Sequence, residues 1–269
     1  MSEGRTNGVA ARLGVVTEPR YLAQAQPAGV LQALTFRPVD VVAVDDADGL
    51  EGCDLVVARG RSPHVLDLLD QAERRGIRAV NRAAAIRSVL DKTAMQRALD
   101  ANGVRTPWSW HGRFEDVAAD VRMLAFPVVV KPVRGDNCRD VAVLASGREI
   151  DSLHWAEPDV IVQRWIANDG SDLKLYGVGD IVWAVRKPSP LGGPGASRMI
   201  PLRPEHVTVA HACRDTFGLD LYGVDCIETE EGLVVIEVND YPNYTGIAAA
   251  DDRLADHLMT VLRDGLVAA

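Results

Sequence analysis

The segment LYGVDCIETEEGLVVIEVNDY carries three oxygen-donor side chains at a spacing that brings them together. Two β-rich runs flank Glu230-Glu231-Gly232. Glycine in the third loop position suits a three-residue hairpin with a left-handed residue. That loop pairs Thr229 with Leu233, and counting outward sets Asp225 opposite Glu237. Asn239, two residues beyond Glu237, points to the same face. Two facing carboxylates repel unless a cation lies between them. Magnesium takes oxygen ligands of this kind together with substrate phosphates. The alternative is a solvated hairpin face on which both carboxylates meet water. The neighbours Val224, Cys226, Ile236 and Val238 are apolar and predict that the other face is buried.

Lysine is the second informative residue type. Of 29 basic residues only four are lysine, namely Lys92, Lys131, Lys174 and Lys187. Codon bias towards arginine explains why lysine is rare, but not where the remaining ones sit. Lys131 lies inside the apolar run VVVKPV, where alternation gives it the face of Val129. It must enter a polar cavity or snorkel from a strand edge. The polar turn Arg134-Gly135-Asp136-Asn137 follows, so a lysine aimed at a phosphate beside a loop is the functional alternative.

The rest of the chain bounds these readings. With 269 residues it is long enough for about two domains. A net charge of −9 argues against a nonspecific grip on nucleic acid, which needs a basic surface. The N-terminus shows no apolar signal region and no run is long enough to span a bilayer, so a cytoplasmic protein without membrane partners is expected. The four cysteines, Cys53, Cys138, Cys213 and Cys226, are scattered without a C-x-x-C pair. That argues against zinc and against a disulfide framework. Cys138 stands in a polar stretch and is expected to be the most exposed of them. The six histidines are isolated, and no Ser–His–Asp or Cys–His set is visible.

The elements that must position the site follow from periodicity. Apolar runs at Leu13–Val16, Val39–Val44, Asp54–Ala58 and Ile77–Val80 alternate with helical patterns, best seen over His64–Gly76. This predicts a parallel sheet with helical crossovers in residues 1–88. No G-x-G-x-x-G follows the first run, which disfavours a dinucleotide site. DKTAMQRALDANG reads as a helix capped by Asp91 and ended by Gly103. Strands are expected in VRTPWSW, in Phe126–Val133, in RDVAVLA and in Asp159–Ile166. Runs 172–178 and 181–187 flank Gly179-Asp180, a two-residue turn. The Pro/Gly-rich loop 188–198 suits a lid. Helices near 204–217 and 252–264 bracket the carboxylate hairpin.

The order of these segments resembles the ATP-grasp superfamily, and within it the ribosomal-protein glutamate ligases (RimK-like enzymes). DKTAMQRAL resembles the first nucleotide-contacting lysine segment. FPVVVKPVRGDNCRDVAVL resembles the lysine strand and phosphate-covering loop, and VIVQRWI the hinge at adenine. SDLKLYGVGDIVWAVRK resembles the D-[IL]-[RK] hairpin. LYGVDCIETEEGLVVIEVNDYPNYTGI resembles the metal hairpin and its E-x-N-x-x-P loop. The resemblance covers about residues 80–264.

It implies an α/β chain with α+β lobes: a Rossmann-like pre-ATP-grasp domain (1–88), a central lobe (89–168) and a C-terminal lobe with the metal site (169–269). Two antiparallel sheets would grip ATP between the lobes. It further implies that Lys92 and Lys131 contact ATP phosphates, with Arg134 and Arg139 supplying charge in a glycine-poor phosphate loop. Gln163, Arg164, Trp165 and Ile166 would form the hinge, mostly through backbone groups, and Asp172 would lie near the ribose. Lys174 and Arg186 would meet the transferred phosphoryl group or the substrate. Asp225, Glu237 and Asn239 would hold magnesium, with manganese the alternative ion.

The implied activity is an ADP-forming carboxylate–amine ligation of a small molecule or peptide through an acyl phosphate. The loop NDYPNYTG and the stretch VWAVRKPSP are similar to those of inositol trisphosphate kinases. A γ-phosphate transfer to a hydroxyl, with Arg186, Lys187 and Arg198 around the acceptor, is therefore the alternative. A non-catalytic nucleotide-binding module is the third class. A homo-oligomer is compatible with the resemblance, and the acceptor's identity is not legible.

Overall fold

The computed structural model describes residues 10–120, 125–135, 140–153, 157–189 and 195–268. The chain divides into two compact units, one joining Met1–Ala83 to Tyr241–Ala269 and the other comprising Ala84–Asp240.

The first unit is built on a parallel four-stranded sheet. Its strands are β1 (Ala11–Thr17), β2 (Val39–Ala43), β3 (Leu55–Arg59) and β4 (Arg78–Val80), in the order β2-β1-β3-β4. The four apolar runs of the sequence account for these strands. Between them lie α1 (Ala25–Leu34) and α2 (Pro63–Arg74). Ser62 caps α2 through a bond from the Val65 amide. Gly76, at φ +78°, ends the helix in the left-handed conformation that its sequence position suggested.

The C-terminal helix α7 (Ala250–Ala268) packs on α1 in this same unit. Gln26 bonds Asp251, and Arg37 bonds Asp256 at 2.8 Å. Arg59 stacks on the rings of Tyr21 and Tyr241 and bonds Asn243 at 3.2 Å. Residues 241–269, expected at the end of the last lobe, therefore group with the first 83 residues.

The second unit opens with α3 (Ala83–Leu90), which the sequence reading did not separate, and α4 (Lys92–Ala101). Asp91 caps α4 by accepting from the Ala94 amide at 2.9 Å. An antiparallel sheet follows, formed by β5 (Ser109–Arg113), β6 (Val128–Pro132), β7 (Ala142–Leu144) and β8 (Asp159–Arg164), in the order β5-β8-β6-β7. Its buried face, with Val128, Val130, Val160 and Val162, packs on α5 (Phe114–Asp120). The strand expected from VRTPWSW starts only at Ser109, after Pro107, a residue with no N–H for a ladder.

The larger sheet is five-stranded. It contains β9 (Ser171–Val178), β10 (Ile181–Pro188), β11 (Arg198–Ile200), β12 (Leu221–Thr229) and β13 (Gly232–Asp240), in the order β11-β10-β9-β12-β13. Helix α6 (Pro204–Phe217) covers one face, where Leu173, Leu175, Ala184, Val224 and Phe217 form the core with Met95 and Leu99 of α4. The Val238 amide donates to Met95 Sδ at 3.3 Å, tying α4 to β13. Gly177 allows this packing: a Cβ there would overlap the buried Tyr222 ring.

The carboxylate hairpin reaches the expected pairing by a different route. Thr229 pairs with Gly232 rather than Leu233, which makes the loop two residues long and would bring Ile236 opposite Asp225. A register shift between Asp225 and Cys226 absorbs one residue of β13 and restores Asp225 opposite Glu237. Gly232 takes φ +111°, a conformation that favours glycine, but as the first residue of β13 rather than in the third loop position expected.

Candidate nucleotide and metal site

Within the second unit, a cleft is lined by parts of both sheets. Strand β6 contributes Val129 and Lys131, two residues apart and on one face, while Val128 and Val130 turn into the core. Lys131 is 6% exposed, so the cleft, not a strand edge, receives it. The end of β8 and the chain beyond it supply Gln163, Arg164, Trp165, Ile166 and Asn168. Strand β9 supplies Asp172 and Lys174, the hairpin supplies Asp225 and Glu237, and Lys92 enters from α4.

Charge is arranged as cation–carboxylate pairs. Lys174 Nζ donates to Asp225 Oδ2 at 2.7 Å. Lys92 Nζ lies 3.7 Å from Glu237 Oε1 and donates to the Gly135 carbonyl at 2.6 Å. Burial alone would push the Lys174 ammonium's pKa down. The charge and hydrogen bond of Asp225 more than reverse this, and the pKa rises above the ordinary lysine value. Burial raises the Asp172 carboxyl, against the opposing effects of a Ser189 hydrogen bond and the Lys174 charge. Burial pushes the Tyr176 hydroxyl up to about 12. Lys187 donates to that hydroxyl at 2.6 Å, and its pKa is lowered by burial and by Lys174.

A divalent cation fits this donor set. Two carboxylates face one another across a hairpin, and lysine ammoniums, not bulkier groups, stand beside them. A hard cation with oxygen ligands neutralises such a pair better than one point charge each. Elsewhere in the unit, Glu205, His206 and Glu228 bring possible ligand atoms within 4.8 Å of one another. There Glu228 is bonded by both Arg186 and Arg203, so its charge is already compensated. Arg203 also donates to His206 Nε2 at 2.9 Å, and the imidazole pKa is lowered by burial and by that arginine.

Most residues named from the sequence line the cleft: Lys92, Lys131, Gln163, Arg164, Trp165, Ile166, Asp172, Lys174, Asp225 and Glu237. Five residues are placed differently from expectation. Arg186 does not line the cleft. It pairs in register with Leu173, on the face covered by α6, and bonds Glu228 and, at 3.1 Å, Ser171. Lys187, paired with Asp172, takes the opposite face instead. Asn239 is in register with Gly223 on the face of Glu237 but is not among the lining residues. Ile236, expected on the buried face, lines the cleft at the register shift. Arg134 is exposed, while Gly135 lines the cleft.

The middle of the phosphate loop, with Asp136, Asn137, Cys138 and Arg139, lies outside the described residues, as do residues 190–194 of the expected lid. Cys53, Cys213 and Cys226 are buried, as expected. Among the described residues no helix is long and apolar enough to cross a membrane. Asn168 and Ser189 carry no signal in the sequence. Both line the cleft and both bond Asp172, Asn168 at 3.1 Å, but they stand in irregular segments without a periodic signal.

Residues 90–261 match the family described as the RimK-like ATP-grasp domain. A probable alpha-L-glutamate ligase 2 of Hahella chejuensis is 27% identical over 201 residues, which cover 69% of this chain and 66% of the relative. The matched part thus spans about two thirds of that relative's length. Among solved structures, a RimK-domain ATP-grasp protein of Sphaerobacter thermophilus has a TM-score of 0.72 at 18% identity, covering 93% of this chain and all of the other. D-alanine–D-alanine ligase of Bacillus anthracis, solved with ATP, has a TM-score of 0.71 at 15% identity, covering 95% and 99%. These likenesses show an ATP-grasp fold, and the relatives named are ligases rather than kinases. With nearly two thirds of its length matched to the family and the fold shared throughout, the chain belongs to the RimK-like ATP-grasp family.

Proposed function

We propose that this chain is an ATP-dependent, ADP-forming carboxylate–amine ligase. The observation that carries this reading is the cleft in which Asp225 and Glu237 face each other, each beside a lysine, with buried Lys131 in the same wall. In this reading residues 89–168 and 169–240 are the two gripping lobes. Arg164, Trp165 and Ile166 follow β8 along the base of the nucleotide, Asp172 meets the ribose, and Lys92 and Lys131 meet phosphate oxygens. Asp225 and Glu237, with Asn239 on the same face, would hold magnesium. When bound, that ion would neutralise β- and γ-phosphate oxygens.

The chemistry asks for positioning more than for a nucleophilic side chain. The substrate carboxylate oxygen attacks the γ-phosphorus, and the bond to the β–γ bridging oxygen breaks, releasing ADP. The amine then attacks the acyl carbon and phosphate leaves. Lys174, already charged and held at Asp225, is placed to stabilise the transferred group. Arg186, on the other face of the sheet, has no part in this reading. The names of the relatives suggest glutamate as one substrate, with a small molecule or peptide as its partner.

Hydroxylamine tests the reading. A ligase turning over glutamate and ATP converts the acyl phosphate to a hydroxamate, with one phosphate released per ADP. ADP formed without free phosphate would point to phosphoryl transfer onto a hydroxyl, and would overturn the proposal.

A further inference from the structure

Of the three basic residues expected around an acceptor, only Lys187 stays on the sheet face that carries Lys174. Arg186 pairs with Leu173 and with Arg198, so both arginines turn to the face covered by α6. The strand register shows what stands in their place. Glu237, Asp225, Lys174, Val185 and Met199 are successive partners across β13, β12, β9, β10 and β11. They form one row on one face. The neighbouring row runs through Asn239, Gly223, Tyr176 and Trp183. The row that begins with the carboxylate pair thus turns apolar directly beyond Lys174.

Lys187 donates to the Tyr176 hydroxyl at 2.6 Å and lies 5.2 Å from the centre of that ring. Val185 is fully buried, while Trp183 is half-buried and Met199, on the edge strand, is 50% exposed. Trp183 and Met199 are diagonal neighbours across β10 and β11, close enough for long side chains to share one ligand group. Adjacent strands lie about 4.8 Å apart, so Met199 stands about 10 Å along the row from Lys174. Neither residue lines the cleft; they continue its wall outwards.

In the ligase reading the acyl phosphate lies at Lys174, and the amine must approach its carbon there. The substituent next to that amine then falls on the outer part of the row. A charged side chain resting on Trp183 and Met199 would give up water without gaining a partner, whereas an apolar one is stabilised by burial.

We propose that the amine substrate carries an apolar side chain, aliphatic or aromatic, and that Trp183 and Met199 are the specificity residues on which it rests. The proposal rests on the ligase reading above and names the chemical class of the second substrate. The occupant is a substrate side chain because the patch is continuous with the row that holds Lys174 and the carboxylate pair.

Amide formation by the whole chain tests this. The reaction holds ATP, magnesium and glutamate as the carboxylate, with glycine, leucine, phenylalanine, aspartate or lysine as the amine. Each amide is quantified by mass spectrometry, and hydroxylamine serves as an amine without a side chain. The wild type is expected to favour leucine and phenylalanine about 20-fold or more over glycine in kcat/KM, and over aspartate by at least as much. In Trp183→Ala the leucine-to-glycine ratio falls to about threefold. Met199→Lys raises the aspartate-to-leucine ratio at least about tenfold. A merely structural role for either residue would slow all amines alike and leave these ratios unchanged.

A wild type that forms the hydroxamate but accepts none of the amino acids, is indifferent to their side chains, or prefers aspartate or lysine overturns the inference and leaves the ligase reading standing. Unchanged ratios in both variants overturn it as well. A wild type that forms no hydroxamate overturns both.

Discussion

Two carboxylate clusters stand on opposite faces of the five-stranded sheet, and burial does not separate them. The side chains of Lys174 and Asp225 are 20% and 23% exposed, those of Arg186 and Glu228 24% and 22%. The difference lies in the cations. On the α6 face Glu228 accepts from two guanidiniums, planar forks that match a carboxylate. In the cleft, Asp225 has one lysine bond, and Glu237 has an ammonium 3.7 Å away, beyond hydrogen-bond reach. A carboxylate offers about four acceptor directions. Those in the cleft keep most of them for a ligand, while Glu228 is committed to the fold. Arginine locks a site, whereas lysine leaves it open to exchange. In a chain so poor in lysine, that contrast gives the location of the four lysines a physical meaning.

The sharpest way to break this contrast is to neutralise one member on each side. Glu237→Gln, and independently Lys131→Met, are expected to lower ADP formation at least about 100-fold with unchanged circular dichroism. Glu228→Gln is expected to leave ADP formation within about twofold of wild type. It should cost about 1–2 kcal/mol in denaturant unfolding, since two guanidiniums lose part of their partner. The reverse pattern, with turnover lost in Glu228→Gln and kept in Glu237→Gln, would assign the chemistry to the α6 face.

A smaller effect sharpens the same distinction in the first unit, where Glu18 is also committed to structure. Burial raises its carboxyl, but backbone bonds from Arg61 and Ser62 and the charge of Arg20 outweigh this, and its pKa lies below the usual value. A depressed folded pKa contributes stability that is complete above the unfolded pKa, about 4.3, and is lost as pH falls through the folded one. Glu18→Gln should therefore cost about 1 kcal/mol at pH 7 and converge with wild type in acid. Unfolding curves at several pH values that stay parallel into acid would count against the assignment.

Much of this was legible in the sequence, for identifiable reasons. The Asp91 cap and the parallel strands of the first unit follow from local pattern, whereas alternation gives Lys131 only the face of Val129 and leaves a cavity and a strand edge equally open to it. The pairing of Asp225 with Glu237 was reached although the assumed loop was one residue too long, because the register shift at Ile236 supplies the missing residue. Bulges of this kind leave no mark on alternation. Arg186 is a different case. Counting from Gly179-Asp180 already pairs it with Leu173, an apolar core residue, and so removes it from the cleft. Ser189 and Asn168 sit in irregular chain, and the return of α7 to the first unit is a contact over more than 200 residues. Neither has a local pattern to read.

The central claim is that the lysine-lined carboxylate pair is where nucleotide and metal bind, and calorimetric titration of ATP with magnesium tests it most directly. The account predicts one site on the wild type, at least tenfold weakened in Lys131→Met and in Glu237→Gln, and unchanged in Glu228→Gln. Equal affinity in all four proteins, or a loss confined to Glu228→Gln, would contradict it.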